Sequence, residues 1–233
     1  MGSGDRTAER AVRYGRDSVE FARAFTFFDA GYAIALTLLV VNLDPPPAAD
    51  WTSPAAWLGG GLGWQLFGFA VSFAVIAVFW RVNHRIGGEM SGVTDGVISA
   101  NVLALALVVV IPFSTQGISD PETAEQPLSV VVYAVNISLA VLAQSTVHAV
   151  ARRDGVLRTP LPRRAEAVRF VDAMSTPLVF LASIPVAYAW GAGWARAVWL
   201  LLLVVGPVSG RWADRRVARI VADDVSSPTA PGS

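Results

Sequence analysis

Six long apolar runs, separated by short polar connections, constrain this chain more than any other feature of its sequence. A helix needs about 20 mostly apolar residues to cross a bilayer. Six stretches reach or approach that length: residues 21–43, 62–82, 96–113, 128–150, 170–188 and 191–210. The sixth is the weakest, because Arg196 interrupts its start; near a helix end that side chain can snorkel to the interface. Only 15% of the residues are charged, against about 25% in a soluble domain. The charges sit between the apolar runs rather than along them. The chain therefore reads as an all-α polytopic membrane protein with six transmembrane helices. Residues 1–20 form a polar N-terminal segment, 21–210 the membrane domain and 211–233 a C-terminal tail whose last part, 226–233, is expected to be disordered. The first apolar run is too long for a signal-peptide core, so the first helix is expected to remain in the mature protein.

Charge placement gives an orientation. All 18 basic residues are Arg, balanced by 18 acids. Arg6, Arg10, Arg13 and Arg16 precede the first run; Arg81 and Arg85 follow the second; Arg152, Arg153, Arg158, Arg163 and Arg164 lie between the fourth and fifth; and Arg211, Arg215, Arg216 and Arg219 follow the sixth. The first and third connections carry Asp44 and Asp50, then Asp120, Glu122 and Glu125, and no Arg. The positive-inside rule then puts both termini in the cytoplasm of a multi-pass plasma-membrane protein, which requires an even number of spans. Trp51, Trp57, Trp64, Trp190 and Trp194 fall near the outer boundaries, and Trp80 and Trp212 near the inner ones, as interfacial belts do. Pro45, Pro46 and Pro47 stop the first helix. Pro112, Pro177, Pro185 and Pro207 are expected to kink helices or mark their ends.

Several function classes fall away. No basic groove with interleaved aromatics points to nucleic acid. With no Cys and two distant His, no transition-metal site or cofactor is expected. The run Gly59-Gly60-Gly61-x-Gly63 lacks the Lys-Ser/Thr of a phosphate loop. No acid, base and nucleophile converge at a spacing that suits an enzyme. No internal repeat supports an inverted-repeat transporter.

The first helix carries the chemistry. Arg23 and Asp29 stand in an otherwise apolar span, where each costs about 2.5 to 3.5 kcal/mol on insertion scales. Six residues apart, they lie about 120° apart around the helix and about 9 Å apart along it. Each is therefore expected to bind groups elsewhere, with Asn83, His84 and Asn101 as candidates. His84 could bond Asp29 or sit solvated at the interface. Asp172 could pair with Arg169 or Arg164, and His148 is expected to have no special role. Further along, Ile34, Leu38 and Val41 form one stripe, with Thr37 beside it. Such stripes are usually packing or lipid-facing surface, and a membrane Thr usually bonds its own helix; a pore lining is the third reading.

The string Arg23-x-x-x-Phe27-Phe28-Asp29, followed by Ala33-Ile34 and Thr37-Leu38-Leu39-Val40, resembles the first helix of the transmembrane protein 175 family, the endosomal and lysosomal potassium channels and their bacterial homologues. Trp80-Arg81-Val82-Asn83-His84 is similar to that family's W-x-x-N-H ending of helix two. Asn101 with Ile111-Pro112-Phe113-Ser114-Thr115 is similar to its helix three. The resemblance implies six-helix subunits assembled as a homotetramer in the bilayer, with helix one lining a central potassium pathway. It implies an apolar constriction at Ile34, Leu38 and Val41, with Thr37 as a hydroxyl ring, and a polar motif network of Arg23, Phe27, Asp29, Trp80, Asn83, His84 and Asn101. Potassium is then a permeating ion and not a cofactor. A carbonyl filter of the TVGYG type is absent from the sequence. Phe28 stands where the family has Ser, so a hydroxyl beside Asp29 is lost. The competing reading is a proton-coupled or small-solute transporter using Arg23, Asp29 and His84 as a relay.

Overall fold

The computed structural model describes residues 13–59 and 61–226; Arg6, Arg10 and residues 227–233 of the expected tail lie outside the described residues. In chain order the elements are β1 (Arg13–Gly15), α1 (Val19–Val41), a 3-10 turn (Ala48–Thr52), α2 (Pro54–Leu58), α3 (Leu62–Glu89), β2 (Gly92–Thr94), α4 (Asp95–Val109), α5 (Ile111–Ser119), α6 (Pro127–Arg153), α7 (Arg163–Trp190), α8 (Ala192–Trp199) and α9 (Leu202–Ser226). Among the described residues, six spans are long and apolar enough to cross a membrane: α1, α3, α4 with α5, α6, α7, and α8 with α9.

Local chemistry sets the ends. Ser18 caps α1 by accepting from the Phe21 amide at 3.2 Å, and Thr94 caps α4 by accepting from the Val97 amide at 3.2 Å, which satisfies amides that a helix start leaves unpaired. Several boundaries differ from the sequence reading. The second helix continues past Val82 to Glu89, and the fifth begins at Arg163 rather than 170, because polar end turns still complete their backbone bonds outside the hydrocarbon. The third span is not one helix to Phe113. It breaks at Val110, where Pro112 offers no amide to α4 and instead opens the first turn of α5. The sixth span breaks between Trp199 and Leu202, then runs through Gly210 as helix to Ser226. Residues 211–226 thus continue α9 as helix.

The amide-rich α6 is central, packed against α4, α5, α7 and α8, while α1 packs on α3, α4 and α5, and α9 chiefly on α7. The main core joins Phe28, Tyr32 and Leu39 of α1 to Ile76 and Phe79 of α3, Val108 of α4, and Tyr133 and Ile137 of α6. A second cluster around Phe21, Met90, Val93, Val97 and Val147 closes one end.

That end gathers the Arg-bearing connections. β1 pairs antiparallel with β2, Tyr14 opposite Val93. The Ser91 amide donates to the Val156 carbonyl at 2.8 Å, and the Arg158 amide to the Glu89 carbonyl at 2.9 Å. Arg16 donates to the carbonyls of Gly87, Gly88 and Met90 at 3.1, 3.2 and 3.1 Å, satisfying acceptors left open where α3 stops. Six antiparallel spans require the acid-bearing connections to lie at the other end.

Arg196 does not snorkel. It is 1% exposed. It donates to the Ile118 carbonyl at 2.9 Å and to Glu125 Oε1 at 2.7 Å, and lies 4.4 Å from the centre of the Trp64 ring. One guanidinium thus ties α8 to α3, α5 and the α5–α6 connection. Arg169 also takes an unexpected partner: it donates to Asp214 of α9 at 2.7 Å, not to Asp172.

Candidate functional site

The first helix has two distinct faces. Phe21, Phe28, Tyr32, Ala35 and Leu39 are buried against the bundle. On the other side Phe27 is 61% exposed, Ile34 56%, Leu38 39% and Val41 75%. At about 100° per residue these four fall within an arc of about 60°, roughly 120° from the middle of the buried set. The stripe seen in the sequence therefore lies on the face that the rest of the described chain leaves uncovered. Thr37 lies beside it, exposed, and its Oγ1 donates to the Ile34 carbonyl at 2.8 Å. With its proton committed to the helix, the hydroxyl presents lone pairs outward. At Gly31 a Cβ would fall 2.6 Å from Leu105 Cδ2, so a side chain there would require Leu105 of α4 to move aside.

Asp29 lies off the stripe, on the flank facing α3. Its Oδ1 accepts from Trp80 Nε1 at 3.0 Å. The Trp80 ring rests against His84, with centroids 5.6 Å apart and planes tilted by 32°. His84 therefore meets Asp29 only through the indole and makes no bond to it. This indole–carboxylate bond holds the N-terminal half of α1 to α3.

The other motif residues separate. Asn83 points into the bundle, 1% exposed, and its Oδ1 accepts from Gln144 Nε2 at 3.4 Å. Gln144 Oε1 in turn accepts from the Tyr32 hydroxyl at 3.1 Å. Asn101, 3% exposed, donates to the Val97 carbonyl of its own helix at 3.1 Å. Arg23 is exposed, on the same arc as the stripe and about 16 Å below Ile34, and bonds none of these residues. Arg23, Asp29 and His84 are thus not brought into one relay. Phe28, in place of the family Ser, is 1% exposed and packs edge-on against Phe25 and Phe27, both with centroids 5.9 Å away. Aromatic packing occupies the position where a polar link was expected.

Tyr32 and Gln144 escaped the sequence reading. The signal was present: a buried amide in an apolar span is costly without a partner, and Gln144 is one of two amides, with Asn136, in the fourth run. A second polar centre sits deeper. Thr115 Oγ1 donates to Ser72 Oγ at 2.7 Å, Ser72 and Tyr133 share a hydrogen bond of 2.9 Å, and Asn136 donates to Ser114 Oγ at 3.2 Å. At the far end of α1, Asn42 donates to the Pro112 carbonyl at 2.7 Å.

Comparison with known proteins bears on the same segment. Residues 23–112 match the family described as endosomal/lysosomal potassium channel TMEM175. A potassium channel of Streptomyces collinus is 28% identical over 102 residues, 43% of this chain and 48% of that protein. A potassium channel of a Chryseobacterium species is 23% identical over 121 residues, 52% of this chain and 59% of that protein. The alignments thus span about half the length of these relatives. The crystal structure of a lysosomal potassium-selective channel TMEM175 homologue from Chamaesiphon minutus superposes with a TM-score of 0.59 at 22% identity, covering 86% of this chain and 99% of that one. The six-helix fold is the same.

Proposed function

We propose, on the premise that this chain is a homologue of the TMEM175 family through residues 23–112, that it forms a potassium-permeable cation channel conducting passively down the ion gradient. In this reading four subunits surround an axis and α1 faces it. The single observation that carries the proposal is the uncovered apolar face of α1. Ile34, Leu38 and Val41 project from the subunit while Phe28, Tyr32, Ala35 and Leu39 anchor the opposite face. Lipid could cover such a face; this reading turns it to a symmetry axis instead, in keeping with the potassium channels among the chain's relatives.

Helix rise places the Ile34, Leu38 and Val41 layers about 6 and 4.5 Å apart, so four copies make three stacked apolar rings. Such rings exclude water or strip it from the ion, and potassium sheds its hydration at lower cost than sodium. The outward lone pairs of Thr37 beside the Ile34 layer replace part of the lost shell. Selectivity then rests on side chains rather than on a carbonyl filter. The Arg-bearing end faces the cytoplasm, with residues 1–20 and 211–233 on that side and residues 21–210 as the channel domain of a plasma-membrane protein.

The test is potassium flux from liposomes loaded with purified protein. Wild-type protein is expected to dissipate a potassium gradient without a pH gradient. Ile34→Asn, which wets the ring, and Leu38→Ala, which widens it, are expected to change the flux several-fold and to lower potassium-over-sodium preference. Folded, reconstituted protein that conducts nothing, or flux indifferent to both substitutions, refutes the proposal. Uptake that instead requires a proton gradient and is lost in Asp29→Asn selects the transporter.

A further inference from the structure

We infer that the outward face of α9 is a binding site for an anionic glycerophospholipid, holding the headgroup phosphate on an arginine ladder and the acyl chains on the apolar half of the same face. Arg211, Arg215 and Arg219 recur every four residues, so they rise in a line about 12 Å long with only about 40° of drift per step. With Val208, Trp212 and Arg216 they line an open groove of about 410 Å³. The opposite face of the helix, at Ala213 and Val217, is buried. Asp214, the acid within this stretch, is turned aside and bonded to Arg169 of α7 at 2.7 Å. From Arg211 to Arg219 the four arginines consequently face outward with no carboxylate among them; Asp223 follows one step beyond Arg219 on the same line, and none of the four has an ion-pair partner among the described residues.

Positive-inside topology requires charge near a span end, but it does not require alignment. Here the ladder continues directly into Val208 and Val204, which lie on the same side of α9 and are 57% and 63% exposed. Trp212, 47% exposed, stands at the junction, where indoles favour the headgroup level. An apolar stripe leading into a basic one has the layout of a phospholipid. A soluble phosphate would use only the lower half. Arginine's planar fork suits phosphate oxygens bidentately. The inference does not rest on ion conduction, since it concerns a different helix and a different ligand.

The experiment uses the full chain in nanodiscs and reads quenching of tryptophan fluorescence by phosphatidylglycerol brominated near the glycerol, against phosphatidylcholine brominated alike. Wild-type protein is expected to be quenched preferentially by the anionic lipid, and Trp212→Phe to remove that excess. At about a fivefold effect per surface arginine, the triple variant R211Q/R215Q/R219Q is expected to lose roughly 100-fold in affinity and behave alike in both lipids. These side chains are exposed, so the variant should keep the wild-type elution profile and helical content. A variant-free check counts lipids retained by the wild-type protein in native mass spectrometry, where phosphatidylglycerol should outlast phosphatidylcholine. Equal quenching of wild-type protein by the two lipids, or undiminished preference in the triple variant, overturns the inference. So does displacement of the preference by millimolar glycerol 3-phosphate at constant ionic strength, which would assign the groove to a soluble anion.

Discussion

Substitutions at Arg196 and Glu125 separate two accounts of the clamp that ties α8 to α3 and α5. Arg196 is 1% exposed while the Glu125 side chain is 70% exposed. An ion pair with one partner in the open is screened, and such pairs are worth about 1 kcal/mol or less. The Ile118 carbonyl and the Trp64 ring, by contrast, are met inside the protein. Orphaning a buried carbonyl costs about 1–3 kcal/mol, and a partly desolvated cation–π contact about 1–2 kcal/mol. Replacing Arg by Met forfeits both but recovers the cost of burying a charge, leaving a net loss of about 2 kcal/mol. Arg196→Ala also removes the packed methylenes, at about 0.8 kcal/mol each, and should cost about 4 kcal/mol in all. In Glu125→Gln the amide oxygen still accepts the hydrogen bond and water solvates the rest, so the loss should stay under about 1 kcal/mol. Equilibrium unfolding in mixed micelles, followed by far-ultraviolet circular dichroism, gives the order Arg196→Ala, then Arg196→Met, then Glu125→Gln. If Glu125→Gln proves as costly as Arg196→Ala, the ion pair and not the carbonyl and ring holds the clamp. If Arg196→Ala is neutral as well as Arg196→Met, the side chain lies at the interface and not against the Ile118 carbonyl and the Trp64 ring.

Other positions give sharper geometric tests. A Cβ on Gly68 would meet Ser119 Oγ at 2.0 Å and Ser119 Cβ at 3.2 Å, so Gly68→Ala should lower the unfolding free energy by about 1–3 kcal/mol through overpacking, read from the shift of the denaturation curve, and adding Ser119→Ala should restore much of it. Tyr32→Phe removes the donor to Gln144 Oε1 and should cost about 1–2 kcal/mol; in the double variant Tyr32→Phe/Gln144→Leu the Tyr32 effect should shrink, which a double-mutant cycle measures.

The apolar runs located the spans because backbone hydrogen bonding in hydrocarbon leaves a chain few choices but helix, and bilayer thickness fixes its length. Helix ends were less legible. The second and fifth helices gain two turns of polar residue outside the core, and α9 continues to Ser226, since hydropathy stops reporting where water begins while helical hydrogen bonding does not.

For the candidate site, helical spacing alone placed Ile34, Leu38 and Val41 on one stripe and separated Arg23 from Asp29. The bundle decided that this stripe is the uncovered face, that Asp29 bonds Trp80, that Tyr32 reaches Gln144, and that Arg196 turns inward. In a soluble helix the polar face would have announced the outside. In a membrane helix both faces are apolar, so composition around the helix cannot tell packed from open. A polar side chain in hydrocarbon must find a partner, but only the meeting of helices distant in sequence determines which one.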